Sequence, residues 1–145
     1  MTSAITARVA ALRSGADPLC IARVPSGWAI LNERQPIAPC CVLLPDPVVP
    51  SLNDLDGPAR AAFMADFVRL GDTILSVTDA ERVNYLILCN QAPELHAHAI
   101  PRFASEDPAK RRLGPFEAYD FAAARTADPE GRDADALARL RAELA

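Results

Sequence analysis

Residues 94–103, Glu-Leu-His-Ala-His-Ala-Ile-Pro-Arg-Phe, hold the only two histidines of the chain, His96 and His98. Successive strand residues point to opposite faces, so this run reads as a β-strand with His96, His98 and Ile100 on one side. Leu95, Ala97 and Ala99 take the other side. Two imidazoles on one face suit a nucleophile and a proton donor. They also suit two metal ligands, with Glu94 at i−2 as a third. The bland alternative is a pair of half-exposed strand histidines with no task.

Upstream, residues 82–90 (RVNYLILCN) read as a second strand, and only Gln91, Ala92 and Pro93 separate it from the first. That spacing predicts a tight hairpin. Before it, Phe63, Phe67, Leu70, Ile74 and Val77 step by four, three, four and three. This is one helical stripe, which predicts a long helix covering one face of a sheet. Asp56 suits its N-cap and Pro58 its first turn.

Three further apolar runs, residues 19–24, 28–32 and 40–44, are bounded by Pro, Gly and Asp and read as short antiparallel strands. Ile5, Val9 and Leu12 predict a short helix ahead of them. After Phe103 the composition turns to Pro, Arg and acidic residues. Leu137, Leu140 and Leu144 then mark a closing helix whose acidic start and basic end suit its dipole. The order is helix, three strands, long helix, two strands and a helical tail. It predicts an α+β fold with a five-stranded antiparallel sheet.

The 145 residues suit one domain, with a core over 18–103 and a C-terminal tail over 104–145. Net charge is −4, and the basic residues form no stripe of the kind that non-specific nucleic-acid binding requires. No apolar run approaches the ~20 residues of a membrane span, and the first 15 residues do not read as a signal peptide. Cys20, Cys40, Cys41 and Cys89 show no Cys-x-x-Cys spacing and lie in apolar runs. They read as small core residues, and a reducing cytoplasm is the expected location. The six glycines are scattered, so no phosphate-cradling loop of the P-loop kind is present.

The run LHAHAIPRF resembles the signature of the histidine triad superfamily, His-x-His-x-His followed by two apolar residues and often Pro-Arg. WAILNERQPIAPCCVLLPDP, residues 28–47, is similar to the family's strand, loop and strand, and the element order from Pro18 to Phe103 also fits. The resemblance is greatest to dinucleoside polyphosphate hydrolases of the fragile-histidine-triad type.

The resemblance implies that His96 is the nucleophile, attacking a nucleotide α-phosphorus to form a nucleotidyl-imidazole. It implies that His98 supports the phosphate oxygens, that Asn32 binds the ribose and that Ile30 packs on the base. It implies hydrolysis or transfer on a small-molecule nucleotide, a nucleoside phosphoramidate or dinucleoside polyphosphate, with no required cofactor, in a homodimer joined through the long helices and hairpin strands.

Three departures stand out. Glu94 replaces the first histidine, and Cys40-Cys41 replaces a Gly-His pair. The loop before the signature is shortened, leaving Asn90 or Gln91 to stand in for a polar Gly-Gln-Thr-like element. These departures keep open a nucleotide-binding protein without turnover, and a metal protein using Glu94, His96 and His98. The tail is expected to pack near the site or across the dimer, with Phe116, Tyr119 and Phe121 either anchoring it or serving as plain packing.

Overall fold

The computed structural model describes residues 2–145. Helix α1 (Ala4–Arg13) begins where the Ser3 hydroxyl accepts the Thr6 amide, one of the orphan donors of a first turn. Strands β1 (Cys20–Val24), β2 (Gly27–Leu31) and β3 (Cys41–Pro45) follow as an antiparallel meander. Helix α2 (Gly57–Val77) starts as its sequence predicts, with Asp56 accepting the Ala59 amide and Pro58 in the first turn.

Strands β4 (Arg82–Leu86) and β5 (Ala97–Arg102) complete one antiparallel sheet in the order β1-β2-β3-β5-β4. The last strand therefore inserts between β3 and β4. Two four-residue helices, α3 (Pro108–Arg111) and α4 (Pro115–Ala118), lead to α5 (Ala134–Leu144). No helix among the described residues is long and apolar enough to cross a membrane.

The strand pair around the histidines differs from the tight hairpin expected. β4 stops at Leu86 and β5 starts at Ala97, leaving residues 87–96 as an irregular connection. Cys89 takes a left-handed backbone at φ 55, which a ladder cannot continue through, and Pro93 has no amide to donate. Ile87 and Cys89 still pack against the core, so the stretch keeps the apolar pattern of a strand without its hydrogen bonds.

One side of the sheet presents Ala29, Leu31, Cys41, Leu43, Ala97 and Ala99 to α2 and α5. The α2 stripe meets it with Phe63, Phe67, Leu70 and Ile74, each at most 2% exposed. Burying a side chain of that size contributes about 1.5–3 kcal/mol. Gly71 lets α2 sit close to β4, because a Cβ there would lie 1.8 Å from the Tyr85 hydroxyl. Tyr85 in turn meets Phe67 edge-on at 5.0 Å.

The opposite side is divided. Across it runs a row of paired residues, Cys20, Ile30, Val42, His98 and Leu86. Helix α1 covers one half of the row, placing Val9 and Leu12 on Ile30, Val42 and Leu44. The tail covers the other half, where Phe121 and Tyr119 pack beside Ile37, Cys40 and Ile100.

Candidate functional site

His96 and His98 emerge where β5 begins. The Leu95 amide donates to the Val49 carbonyl at 2.9 Å and its side chain is buried in the core. That anchor fixes the register, so strand alternation turns both imidazoles to the divided side of the sheet. Their rings meet edge-on, 5.2 Å apart.

His96 Nδ1 lies 2.8 Å from the Glu94 carbonyl oxygen. A carbonyl can only accept, so in the neutral imidazole Nδ1 carries the proton and Nε2 the free lone pair. The Cys89 thiol lies 3.6 Å from the same nitrogen and donates to the His96 carbonyl at 3.5 Å. Burial, and then the nearby His96, push the His98 imidazole down to about 4. His98 is therefore neutral near pH 7 and offers one N–H donor.

A cavity of about 700 Å³ opens over the two rings. Asn32, His96 and His98 form its floor on the sheet side, and residues 88–92 form one wall. The tail supplies the other wall through Phe116, Glu117, Tyr119, Asp120 and Phe121. Phe116 stands edge-on to His98 at 5.3 Å, and Phe121 lies 4.6 Å from Phe116.

This wall is held by a buried polar cluster at the end of β5. Arg102 donates to the Glu106 carboxylate at 3.1 Å, to Asn84 Oδ1 at 2.8 Å, and to the Leu113 and Lys110 carbonyls at 2.7 and 2.8 Å. Tyr119 donates its hydroxyl to Glu106 at 2.6 Å, and the Phe103 amide donates to the same carboxylate at 2.7 Å. Burial alone would raise the Glu106 carboxyl, but these donors outweigh it and hold it below its ordinary value.

A second anchor lies further along the tail. Gln35 and Ala127 donate their amides to the Arg125 and Glu33 carbonyls at 3.0 and 2.8 Å. Asp133 takes Arg125 in a two-pronged pair at 2.8 Å.

The expected site residues divide accordingly. Asn32, Asn90, Gln91, His96 and His98 come together around the cavity. Asn32 donates its Nδ2 to the Arg34 carbonyl at 2.8 Å, so the following turn holds its amide in place. Ile30 does not join them: it is 3% exposed and packs under α1. Alternation sets its face, but the covering helix comes from distant sequence.

Glu94 contributes its backbone, while its carboxylate accepts the Thr6 hydroxyl at 2.9 Å. The alternative metal set of Glu94, His96 and His98 is not assembled. Among the described residues no three His, Cys, Asp or Glu side chains are grouped to hold an ion. Cys40 and Cys41 are buried, and burial pushes the Cys40 thiol up to about 12 and raises Cys41 as well.

Sequence reading missed Leu88, Cys89, Glu117 and Asp120 as cavity residues. The one usable signal was the aromatic trio Phe116, Tyr119 and Phe121 in an otherwise polar tail.

No protein-family model matches the chain, and no curated protein matches it in sequence. Solved structures do match. A histidine triad protein from Bradyrhizobium japonicum superposes with a TM-score of 0.73 at 21% identity, covering 92% of this chain and 95% of that one. A hypothetical histidine triad nucleotide-binding protein from Sulfolobus tokodaii gives 0.71 at 12% identity, over 94% and 89%. A zinc-bound histidine triad family protein from Mycobacterium smegmatis gives 0.66 at 20% identity, over 92% and 89%. The chain has the histidine triad fold, with the five-stranded antiparallel sheet expected of it.

Proposed function

We propose that the chain is a single-domain histidine triad protein that binds a nucleotide and cleaves it at the α-phosphate through His96. The observation that carries this reading is the 2.8 Å contact from His96 Nδ1 to the Glu94 carbonyl. It fixes the tautomer whose Nε2 lone pair is free to attack, on a residue that lines a cavity.

Nε2 forms a bond to the α-phosphorus as the bond to the leaving group breaks, and the leaving group departs with its electron pair and a proton from solvent, which the later attack of water returns. Water then attacks the nucleotidyl-imidazole, releasing the nucleoside monophosphate and restoring His96. Neutral His98 donates its N–H to a phosphate oxygen and steadies the charge that develops there. Asn32 serves the ribose hydroxyls, and Asn90 and Gln91 orient the leaving side. Glu94 acts through its carbonyl, so losing the first histidine of the triad leaves the nucleophile's support in place.

The cavity lining favours a substrate with one phosphate. Among the described residues that line it there is no lysine or arginine, while Glu117 and Asp120 are carboxylates. A dinucleoside polyphosphate would bring several negative charges to that wall, so a nucleoside phosphoramidate is the preferred substrate. The same lack of a cation favours a second reading, a nucleotide-binding protein that does not turn over.

The expected homodimer has a fitting surface. Met64, Val68 and Leu75 of α2 are exposed, as is Tyr85 on the edge strand β4. A second copy pairing there would cover both. A reducing cytoplasm suits the free thiols.

The test is release of AMP from a fluorogenic adenosine phosphoramidate and from diadenosine polyphosphates, by wild type and by His96→Ala. Wild type is expected to act on the phosphoramidate and the variant to fall to background. Equal background rates from both would overturn the enzymatic reading. Calorimetry showing AMP or GMP binding without turnover would then select the second one.

A further inference from the structure

The planar base of a bound nucleotide needs an apolar surface to lie on. Ile30, the strand residue expected to pack on it, is buried under α1 and does not reach the cavity. Asn32, His96 and His98 share the cavity with only three aromatic side chains, all from the tail. Tyr119 is committed elsewhere, its hydroxyl on Glu106 and its ring under the Lys110 ammonium at 5.0 Å. Phe116 and Phe121 remain.

These two rings form a shallow angled shelf, with centroids 4.6 Å apart and planes inclined by 40°. Phe121 is rooted in the cluster of Ile37, Cys40 and Ile100, and Phe116 leans edge-on against His98. Phe116 is 40% exposed, whereas Phe63 and Phe67 in the core are at most 2% exposed. A phenyl ring left open inside a cleft has an uncovered apolar surface that a flat partner can bury.

The shelf is also pre-set. The Arg102–Glu106 cluster pins the chain before it, and the pairing of residues 33–35 with 124–127 pins the chain after it. Ordering costs on binding are correspondingly small.

We infer that Phe116 and Phe121 of the tail are the nucleobase shelf of this site, so that base recognition lies beyond β5 and outside the strand face where Ile30 sits. The inference rests on the nucleotide reading above. Two rings offer enough stacking surface for a bicyclic base, so purine nucleotides bind more tightly than pyrimidine ones. Glu117 and Asp120 flank the shelf and can only accept hydrogen bonds when ionised, which suits a base edge carrying N–H donors.

The experiment compares AMP, UMP and ribose 5-phosphate by calorimetry on the intact chain, for wild type, Phe116→Ala, Phe116→Leu and Phe121→Leu. The leucine variants keep apolar volume while removing the ring face. Wild type is expected to bind AMP more tightly than UMP, and both more tightly than the baseless sugar phosphate. Each variant is expected to weaken AMP by about 5- to 100-fold, the range for loss of a stacking aromatic. Ribose 5-phosphate affinity is expected to stay within about twofold, because a stacking loss acts only where a base is present.

A uniform loss for all three ligands would assign the rings to packing alone and overturn the shelf. Unchanged AMP affinity in every variant would overturn it while leaving the nucleotide reading standing. If wild type binds none of the three, the nucleotide reading itself falls and the shelf with it.

Discussion

Under α2 and α5, Ala97 and Ala99 of β5 pack with Phe63, Phe67 and Leu140, all at most 2% exposed. Across the same strand, His96 and His98 open onto a cavity walled by residues 116–122, a pinned stretch of the tail ahead of α5 that holds only the end of the four-residue helix α4. The first face is one continuous apolar cluster sealed by α2 and α5. The second is shared between a short helix and an irregular segment, and the site lies where the cover changes from one to the other. A close-packed layer has no room for a ligand. The opening has to come from a cover that touches the sheet at a few strong polar anchors.

Mutations should therefore act differently on the two faces. The largest effect is expected from Phe67→Ala. It removes a 2% exposed ring from the sealed face and should cost about 3–5 kcal/mol in urea unfolding, from lost transfer energy plus the cavity left behind. A loss under ~1 kcal/mol would mean that this face is not close-packed.

Next comes acid. Folded His98 takes its proton only near pH 4, against 6.5 for an ordinary imidazole. Between those values the unfolded chain holds more protons, so falling pH favours unfolding. Stability should be full above pH 6.5 and drop by about 3 kcal/mol on the way to pH 4. His98→Gln should flatten that window, and identical slopes for wild type and variant would contradict the burial described.

Glu106→Gln weakens the anchor of the site wall. Charged hydrogen bonds of this kind contribute about 1.5–3 kcal/mol, and the loss should appear in unfolding together with weaker nucleotide binding. Loss of stability with binding untouched would separate the anchor from the site. Smallest is Thr6→Val, which deprives the Glu94 carboxylate of its donor and should cost about 1 kcal/mol. An unchanged midpoint would show that α1 does not depend on this contact.

Much of this contrast was legible in the sequence. Alternation along residues 94–103 turned the histidines one way and Leu95, Ala97 and Ala99 the other. The α2 stripe and the leucines of α5 were equally plain, because periodic burial leaves a periodic pattern. The limits lie where burial and backbone hydrogen bonding part company. Ile87, Leu88 and Cys89 look like strand, yet the left-handed backbone at Cys89 ends the ladder. Ile30 has the right parity for the site, but its cover is decided by α1, over 15 residues away. The tail wall depends on Arg102 reaching carbonyls 8 and 11 residues further on, and main-chain acceptors leave no residue-type signal.

The contact between α5 and β1 carries a further consequence. Arg141 donates to the Cys20 and Pro18 carbonyls across 121 and 123 residues. The sheet's first strand thus waits for a helix made after every other element described. During vectorial synthesis β1 can pair with β2 early, but its cover from α5 comes last, and until then core residues such as Leu19 and Ile21 lack part of their packing. Loop closure over such separations is slow compared with local helix formation. Protease resistance of the nascent chain is therefore expected to rise once more when α5 docks on β1.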